Sequence, residues 1–348
     1  MGTFFIEFRD PLFSIILFFA IIFVITFISY WWGRHRQKED TKRIGKFLEQ
    51  FHTQPSKNEL KVLISNGGLS KKPWMLLANA YYKNGEFEKT IEIYNEILES
   101  QKKSNPKEVM FLLGKTYFKA GFLERSKQIF LEILQHNPRT PEALHYLLLV
   151  YEYMRDYDAA LEVLEPLEEL GKEIVVETHY LQALKVLSDT QIKQKEKIEK
   201  LLEIYNKDHS LTSMIFEYLF QVDPEVAWEH LDLTKVQNLT QVLWNLEVQH
   251  LNLDIISQNG YLRELYSARG DVELANSSSV FEFDILIKLQ KRANATLGFE
   301  YMCLECKREY PFAFNRCSSC HAIDSATVEL FLSRDYMREF GEESNSFQ

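Results

Sequence analysis

The feature that most constrains this chain is a repeat. Residues 74–98 read WMLLANAYYKNGEFEKTIEIYNEIL, residues 110–134 read MFLLGKTYFKAGFLERSKQIFLEIL, and residues 144–168 read LHYLLLVYEYMRDYDAALEVLEPLE; the starts are 36 and 34 residues apart. In each copy apolar residues recur at helical spacing on both sides of a short turn, Lys83-Asn84-Gly85-Glu86 in the first. One helix pair cannot cover its own apolar face, so such units must stack on neighbours, which predicts an array.

The aligned positions follow the tetratricopeptide (TPR) pattern: a large residue, a small one, a tyrosine, then after the turn a small residue and an apolar one. They are Trp74, Ala78, Tyr81, Thr90 and Tyr94 in the first copy, Met110, Gly114, Tyr117, Ser126 and Phe130 in the second, and Leu144, Leu148, Tyr151, Ala160 and Leu164 in the third. Pro138 stands where the pattern places its closing proline. Arrays of this kind offer a concave groove to peptides and proteins. The positions next to the packing residues of each first helix predict its lining: Met75, Asn79 and Tyr82, then Phe111, Lys115 and Phe118, then His145, Leu149 and Glu152. The competing reading places some of them against the next helix or the C-terminal module, because groove and core faces lie close on one helix.

Composition agrees with an all-α class. Hydrophobic residues are 46% of the chain, yet there are only 13 Gly and 9 Pro, the residues that turns and strand ends need and helices avoid. The repeat continues in weaker form. Residues 43–64 suit an N-terminal capping pair and residues 178–205 a divergent fourth repeat. Helices are expected over 211–220, 224–231 (Asp223 as N-cap), 236–248 and 254–268. The net charge of −10 argues against a sequence-independent nucleic-acid binder, which needs a basic face, and leaves room only for a local basic patch. Catalytic signatures are absent from the sequence: it has no Gly-x-Ser-x-Gly, no Walker A loop, no His-Glu-x-x-His and no dinucleotide fingerprint. No catalytic residue is assigned.

Residues 12–32, LFSIILFFAIIFVITFISYWW, carry no charge over 21 positions, and 14 of them are Leu, Ile, Phe or Val. That length crosses a hydrocarbon core of roughly 30 Å, with an insertion gain on the order of 4 to 8 kcal/mol before polar residues are counted. Glu7 and Asp10 ahead of the run, and no small-residue cleavage pattern after it, argue against a cleaved signal peptide. Arg9 alone precedes the run, while Arg34, Arg36, Lys38, Lys42, Arg43 and Lys46 follow it. The positive-inside rule then predicts a single-pass protein with everything after residue 33 on the cytoplasmic side.

All 4 cysteines lie within residues 303–320, as Cys303-Leu-Glu-Cys306 and Cys317-Ser-Ser-Cys320 with ten residues between the pairs. In a reducing compartment two such hairpins supply four thiolates to one tetrahedral ion, as in zinc ribbons and rubredoxin-type knuckles. One Zn²⁺ is expected, in a closed structural site, with Fe in the same cage as the alternative. Lys307, Arg308 and Arg316 are expected to offset its charge, and His321 to stay outside the ligand set. The polar stretch 271–279, DVELANSSS, reads as a linker. The chain thus divides into an N-terminal tail (1–11), a membrane span (12–32), juxtamembrane and capping helices (33–70), a TPR and TPR-like array (71–270), the linker (271–279), a helix plus metal module (280–331) and a C-terminal tail (332–348).

This layout resembles the lipopolysaccharide assembly protein B (LapB) family of Gram-negative bacteria. The resemblance is strongest over LANAYYKNGEFEKTIEIYNEILES (residues 77–100) and the paired cysteines, which carry over as metal ligands. It departs at Lys307 and Ser318, where that family usually has Gly and Pro, in lacking its usual Trp after the last cysteine, and in most of residues 178–276. The resemblance implies a membrane-anchored TPR protein with a rubredoxin-like module. It implies a non-enzymatic adaptor regulating lipopolysaccharide (lipid A) biosynthesis, which presents a client such as the deacetylase LpxC to the membrane protease FtsH. The alternatives are a scaffold for envelope-biosynthesis enzymes without a proteolytic role, and a redox or iron protein built on the four cysteines.

Overall fold

The computed structural model describes residue 18 and residues 21–27, 71–100, 107–289 and 294–334. The expected span at 12–32 lies largely outside them. Within it residues 21–27 are helical and exposed. Among the described residues no helix is long and apolar enough to cross a membrane. The expected capping pair at 43–64 lies wholly outside.

The chain forms two compact units, divided between Val150 and Tyr151. In the first, helices α1 (Lys71–Lys83), α2 (Phe87–Ser100), α3 (Lys107–Lys119) and α4 (Leu123–His136) pack in sequence order, and α5 (Pro141–Tyr153) carries the chain across the boundary. The repeat positions are the packing positions. Trp74, Ala78, Thr90, Tyr94, Met110, Gly114, Tyr117, Ser126 and Phe130 are all buried. The small residue has a measurable reason: a Cβ on Gly114 would lie 3.0 Å from the Phe130 ring and 3.1 Å from Ile129 Cγ2. The hydroxyls repeat too. Thr90 Oγ1 donates to the carbonyl of Ala78 at 3.4 Å, and Ser126 Oγ to that of Gly114 at 2.9 Å.

The turns are one motif used three times. The N–H groups of Gly85 and Glu86 donate to the carbonyls of Tyr82 and Tyr81, those of Gly121 and Phe122 to Phe118 and Tyr117, and those of Arg155 and Asp156 to Glu152 and Tyr151. This paired bonding closes a helix with one left-handed residue. Its φ is 80° at Gly85, 81° at Gly121 and 61° at Arg155.

The second unit begins with the other half of the third repeat. Its helix is split into α6 (Tyr157–Glu162) and α7 (Leu164–Glu169). Pro166 accounts for the split, since it has no N–H to offer the carbonyl of Glu162 and its ring crowds that carbonyl. Next come α8 (Val175–Ser188) and α9 (Gln194–Asp208), the expected divergent pair, then α10 (Thr212–Val222) and α11 (Pro224–His230). Asp223 caps α11, its carboxylate accepting from the N–H of Val226 at 3.2 Å. The helix expected over 236–248 is shorter: a 3₁₀ turn, Val236–Leu239, leads into α12 (Thr240–Trp244). The one expected over 254–268 is two, α13 (Leu253–Gln258) and α14 (Gly260–Arg269). Asn259 divides them by leaving helical geometry to accept the N–H of Leu262 at 3.1 Å, an N-cap worth about 1 kcal/mol.

The stretch expected as a linker is fastened down. Ser267 Oγ accepts the N–H groups of Leu274 and Ala275 at 3.2 and 3.0 Å, and Val272 and Ala275 pack on the core. Helix α15 (Phe281–Leu289) follows, packed on α14. Phe283 is fully buried in a cluster with Tyr205, Phe216, Trp228, Tyr266 and Leu297. The chain closes in an antiparallel sheet of order β2-β1-β3, made of β1 (Ala295–Cys303), β2 (Glu309–Tyr310) and β3 (Ala326–Arg334). Strands β1 and β3 pair from Ala295↔Arg334 to Cys303↔Ala326. The sheet therefore runs three residues past the expected module end at 331.

Candidate metal centre

Strand β1 ends on Cys303, and the first cysteine pair is the turn that follows it. Both pairs are built alike. The N–H of Cys303 donates to the carbonyl of Arg308 (3.0 Å) and that of Lys307 to Cys303 (2.9 Å); the N–H of Cys317 donates to Ala322 (2.8 Å) and that of His321 to Cys317 (2.9 Å). In each hairpin the residue after the second cysteine is left-handed, with φ 57° at Lys307 and 65° at His321.

The two hairpins bring the sulfurs together. Cys303 Sγ lies 3.6 Å from Cys320 Sγ, and Cys306 Sγ lies 3.7 Å from Cys317 Sγ. All four sulfurs fall within 4.8 Å of one another, the only such cluster among the described residues. A tetrahedron with metal–sulfur bonds of about 2.3 Å has edges of about 3.8 Å, so the donor set fits Zn²⁺ or Fe. When bound, the ion would be held by Cys303, Cys306, Cys317 and Cys320 and would serve as a structural cross-link.

Thiols so close compete for protons. Burial opposes ionisation of Cys317, but the Tyr310 hydroxyl and the N–H groups of Cys320 and Ser319 outweigh it and bring the thiol down to about 6. Burial and the sulfurs of Cys317, Cys303 and Cys306 push Cys320 up to about 12. Tyr310 Oη lies 3.2 Å from Cys317 Sγ and 2.8 Å from Ser319 Oγ. Of the cations expected to balance the cluster, Arg308 bonds Ser319 Oγ and Lys307 is exposed.

Arg316 does something else, which corrects the expectation. Its Nε lies 2.9 and 3.2 Å from the two carboxylate oxygens of Glu152, its Nη1 3.8 Å from Glu177, and its guanidinium 4.9 Å from the Tyr180 ring centroid. Tyr180 Oη donates to Glu152 at 3.2 Å. The Arg316 and Glu152 side chains are 5% and 9% exposed. Burial raises the Glu152 carboxyl above its ordinary value, with Arg316 pulling it back. Two further bonds fasten the module to the second unit's helices: Asp324 accepts the N–H of Leu211 at 3.0 Å, and Tyr301 Oη bonds Gln241. The Arg316–Glu152 pair spans 164 residues, and no local pattern announces it.

The expected groove residues divide. Asn79 is exposed; Met75, Tyr82, Phe111, Lys115 and His145 are half-buried. Phe118 and Leu149 are 6% and 0% exposed, so they are core side chains. The position beside a packing residue is only about 100° round the helix, and a neighbouring helix covers it. Glu152 is taken by Arg316. Tyr146, missing from the expected set, is the hub of this face, with ring centroids 5.6 Å from Phe111, 5.8 Å from Phe118 and 5.6 Å from Phe130. The Lys115 ammonium lies between the rings of Tyr146 (5.7 Å) and Tyr82 (6.0 Å). Phe111 also lines a cavity of about 450 Å³, with Lys107, Glu142 and Thr140 at its walls.

Fold and site define a mostly helical TPR-like solenoid carrying a four-cysteine cluster. Residues 72–104 match the model of the tetratricopeptide repeat family. Among solved structures, MamA from Desulfovibrio magneticus RS-1 is 21% identical, over 49% of this chain and 94% of that one, with a TM-score of 0.37. A tetratricopeptide repeat protein from Parabacteroides merdae is 14% identical, over 73% and 98%, with a TM-score of 0.35. Among curated proteins no relative matches.

Proposed function

We propose that this protein is a non-enzymatic adaptor, tethered to the inner membrane by residues 12–32, whose array holds protein partners on the cytoplasmic side. The observation that carries the reading is the joining of a TPR-like array to a four-cysteine module by buried and specific contacts, among them Arg316 to Glu152. A module of this size is too small for a substrate cleft, and a closed four-thiolate ion leaves no position for water. It serves as a rigid knob that extends the protein-binding surface. A membrane anchor would raise the effective concentration of that surface toward membrane partners.

The resemblance to the LapB family supports a particular partnership, in which a client of the LpxC type is presented to the protease FtsH and lipopolysaccharide synthesis is tuned through the client's lifetime. In vivo crosslinking followed by identification of the captured proteins tests the partners, and the client's half-life with and without this protein tests the outcome. A shortened half-life in its presence, with the protease crosslinked, is expected. An unchanged half-life with no protease captured removes the proteolytic role and leaves an assembly scaffold.

A further inference from the structure

Arg316 belongs to two structures at once. It is the neighbour of Cys317, and its Nη1 donates to the carbonyl of His321 at 2.9 Å. That carbonyl belongs to the left-handed residue closing the second hairpin. The same guanidinium is bound by both oxygens of Glu152 in the last turn of α5 and lies on the Tyr180 ring of α8. One cation thus donates both to the knuckle backbone and to a buried helical carboxylate.

We propose that Arg316 is a latch that makes ion occupancy of the four-cysteine site and the packing of Glu152 and Tyr180 mutually dependent. The conformation of residues 316–321 is set by Cys317 and Cys320 gripping one ion. A segment this small draws most of its folding energy from that grip. Loss of the ion frees the His321 carbonyl and the backbone that aims Arg316. Glu152 is then left as a buried carboxylate without its partner, the costly half of a broken ion pair. Helix α8 loses the cation on its tyrosine in the same event. Coupling runs equally in both directions. A carboxylate far from the cysteines in sequence therefore sets how tightly they hold metal. The inference stands apart from the partner reading and rests only on the cysteines binding an ion.

Zn²⁺ affinity of the full chain in detergent, measured by chelator competition, tests it. Glu152→Gln is expected to weaken Zn²⁺ about tenfold, toward the lower end of the usual range for coupled sites. Arg316→Ala should do the same, and the double variant no more than either. Trp228→Phe, a core change in the same unit, should leave the affinity unaltered. Hydrogen exchange on the unaltered chain needs no variant to fold: amides of residues 151–153 and of α8 should exchange faster once zinc is stripped. Unchanged affinity in Glu152→Gln, equal weakening by Trp228→Phe, or exchange indifferent to zinc overturns the latch. A chain that takes up no zinc overturns it together with the metal site.

Discussion

Lys307 occupies a backbone position that suits glycine, and replacing it measures what the knuckle geometry costs. Its φ is 57°, and its N–H is committed to the carbonyl of Cys303 at 2.9 Å. The left-handed region costs a residue with a Cβ roughly 1–2 kcal/mol. Glycine escapes that cost but has more unfolded freedom to lose, roughly 0.5–1 kcal/mol. The Lys307 side chain is exposed, so little packing is lost. Lys307→Gly should therefore favour the closed hairpin by about 0.5–1 kcal/mol. Because closing the hairpin and binding the ion are one process, the gain should emerge as roughly 2–5-fold tighter zinc. The assay is chelator competition at about 1 M salt, where the Debye length is about 3 Å and the lost ammonium's pull on the thiolates is screened. His321→Gly is the control: its φ is 65°, but its side chain is only 9% exposed. Relief of strain there is offset by lost packing. Equal or weaker zinc binding by Lys307→Gly, or a larger gain from His321→Gly, would refute the reasoning.

Gly114→Leu should destabilise the first unit by about 2 kcal/mol, overpacking against Phe130 outweighing better helix propensity, while Gly114→Ala stays near neutral; urea unfolding separates the two. Cys306→Ser should lower bound zinc, measured by elemental analysis, while far-ultraviolet circular dichroism keeps its helical signal, because the helices have their own cores. Burial pushes the Tyr94 phenol up to about 12. Since the folded value exceeds the unfolded one near 10, this contribution is complete below pH 10 and is lost as pH rises toward 12. Tyr94→Phe should flatten the alkaline loss of stability by up to about 1.4 kcal/mol per pH unit, and identical slopes in both chains would count against it.

The parts of this fold that the sequence made legible are those set by local periodicity. A small residue at Gly114 and hydroxyls at Thr90 and Ser126 recur because helix pairs must close to the same distance in every repeat, and they can be read without coordinates. The cysteine spacing likewise implied a shared tetrahedron, because two short hairpins leave few other uses for four thiols. What escaped was long-range. Glu152 reads as groove lining from its place on α5, and only the fold brings Arg316 to it. Phe118 and Leu149 sit beside packing positions, and whether such a residue lines a groove depends on neighbours that periodicity does not count. Asn259 and Pro166 carried the signals that divide their helices; in a sum over apolar spacing one residue weighs little, although locally it decides the backbone.

Burial divides the four sulfur-bearing residues by access. Cys303 and Cys317 are buried, Cys306 and Cys320 exposed, and each exposed sulfur faces a buried one from the opposite hairpin. The centre therefore has an outer and an inner pole. An alkylating reagent, an oxidant or a competing chelator meets Cys306 and Cys320 first, while Cys303 stays held at the end of β1 and Cys317 beside Arg316. The ion can be drawn from the solvent side without first melting the helices behind it. Dismantling has a built-in order, with the outer pair of thiolates yielding before the inner pair.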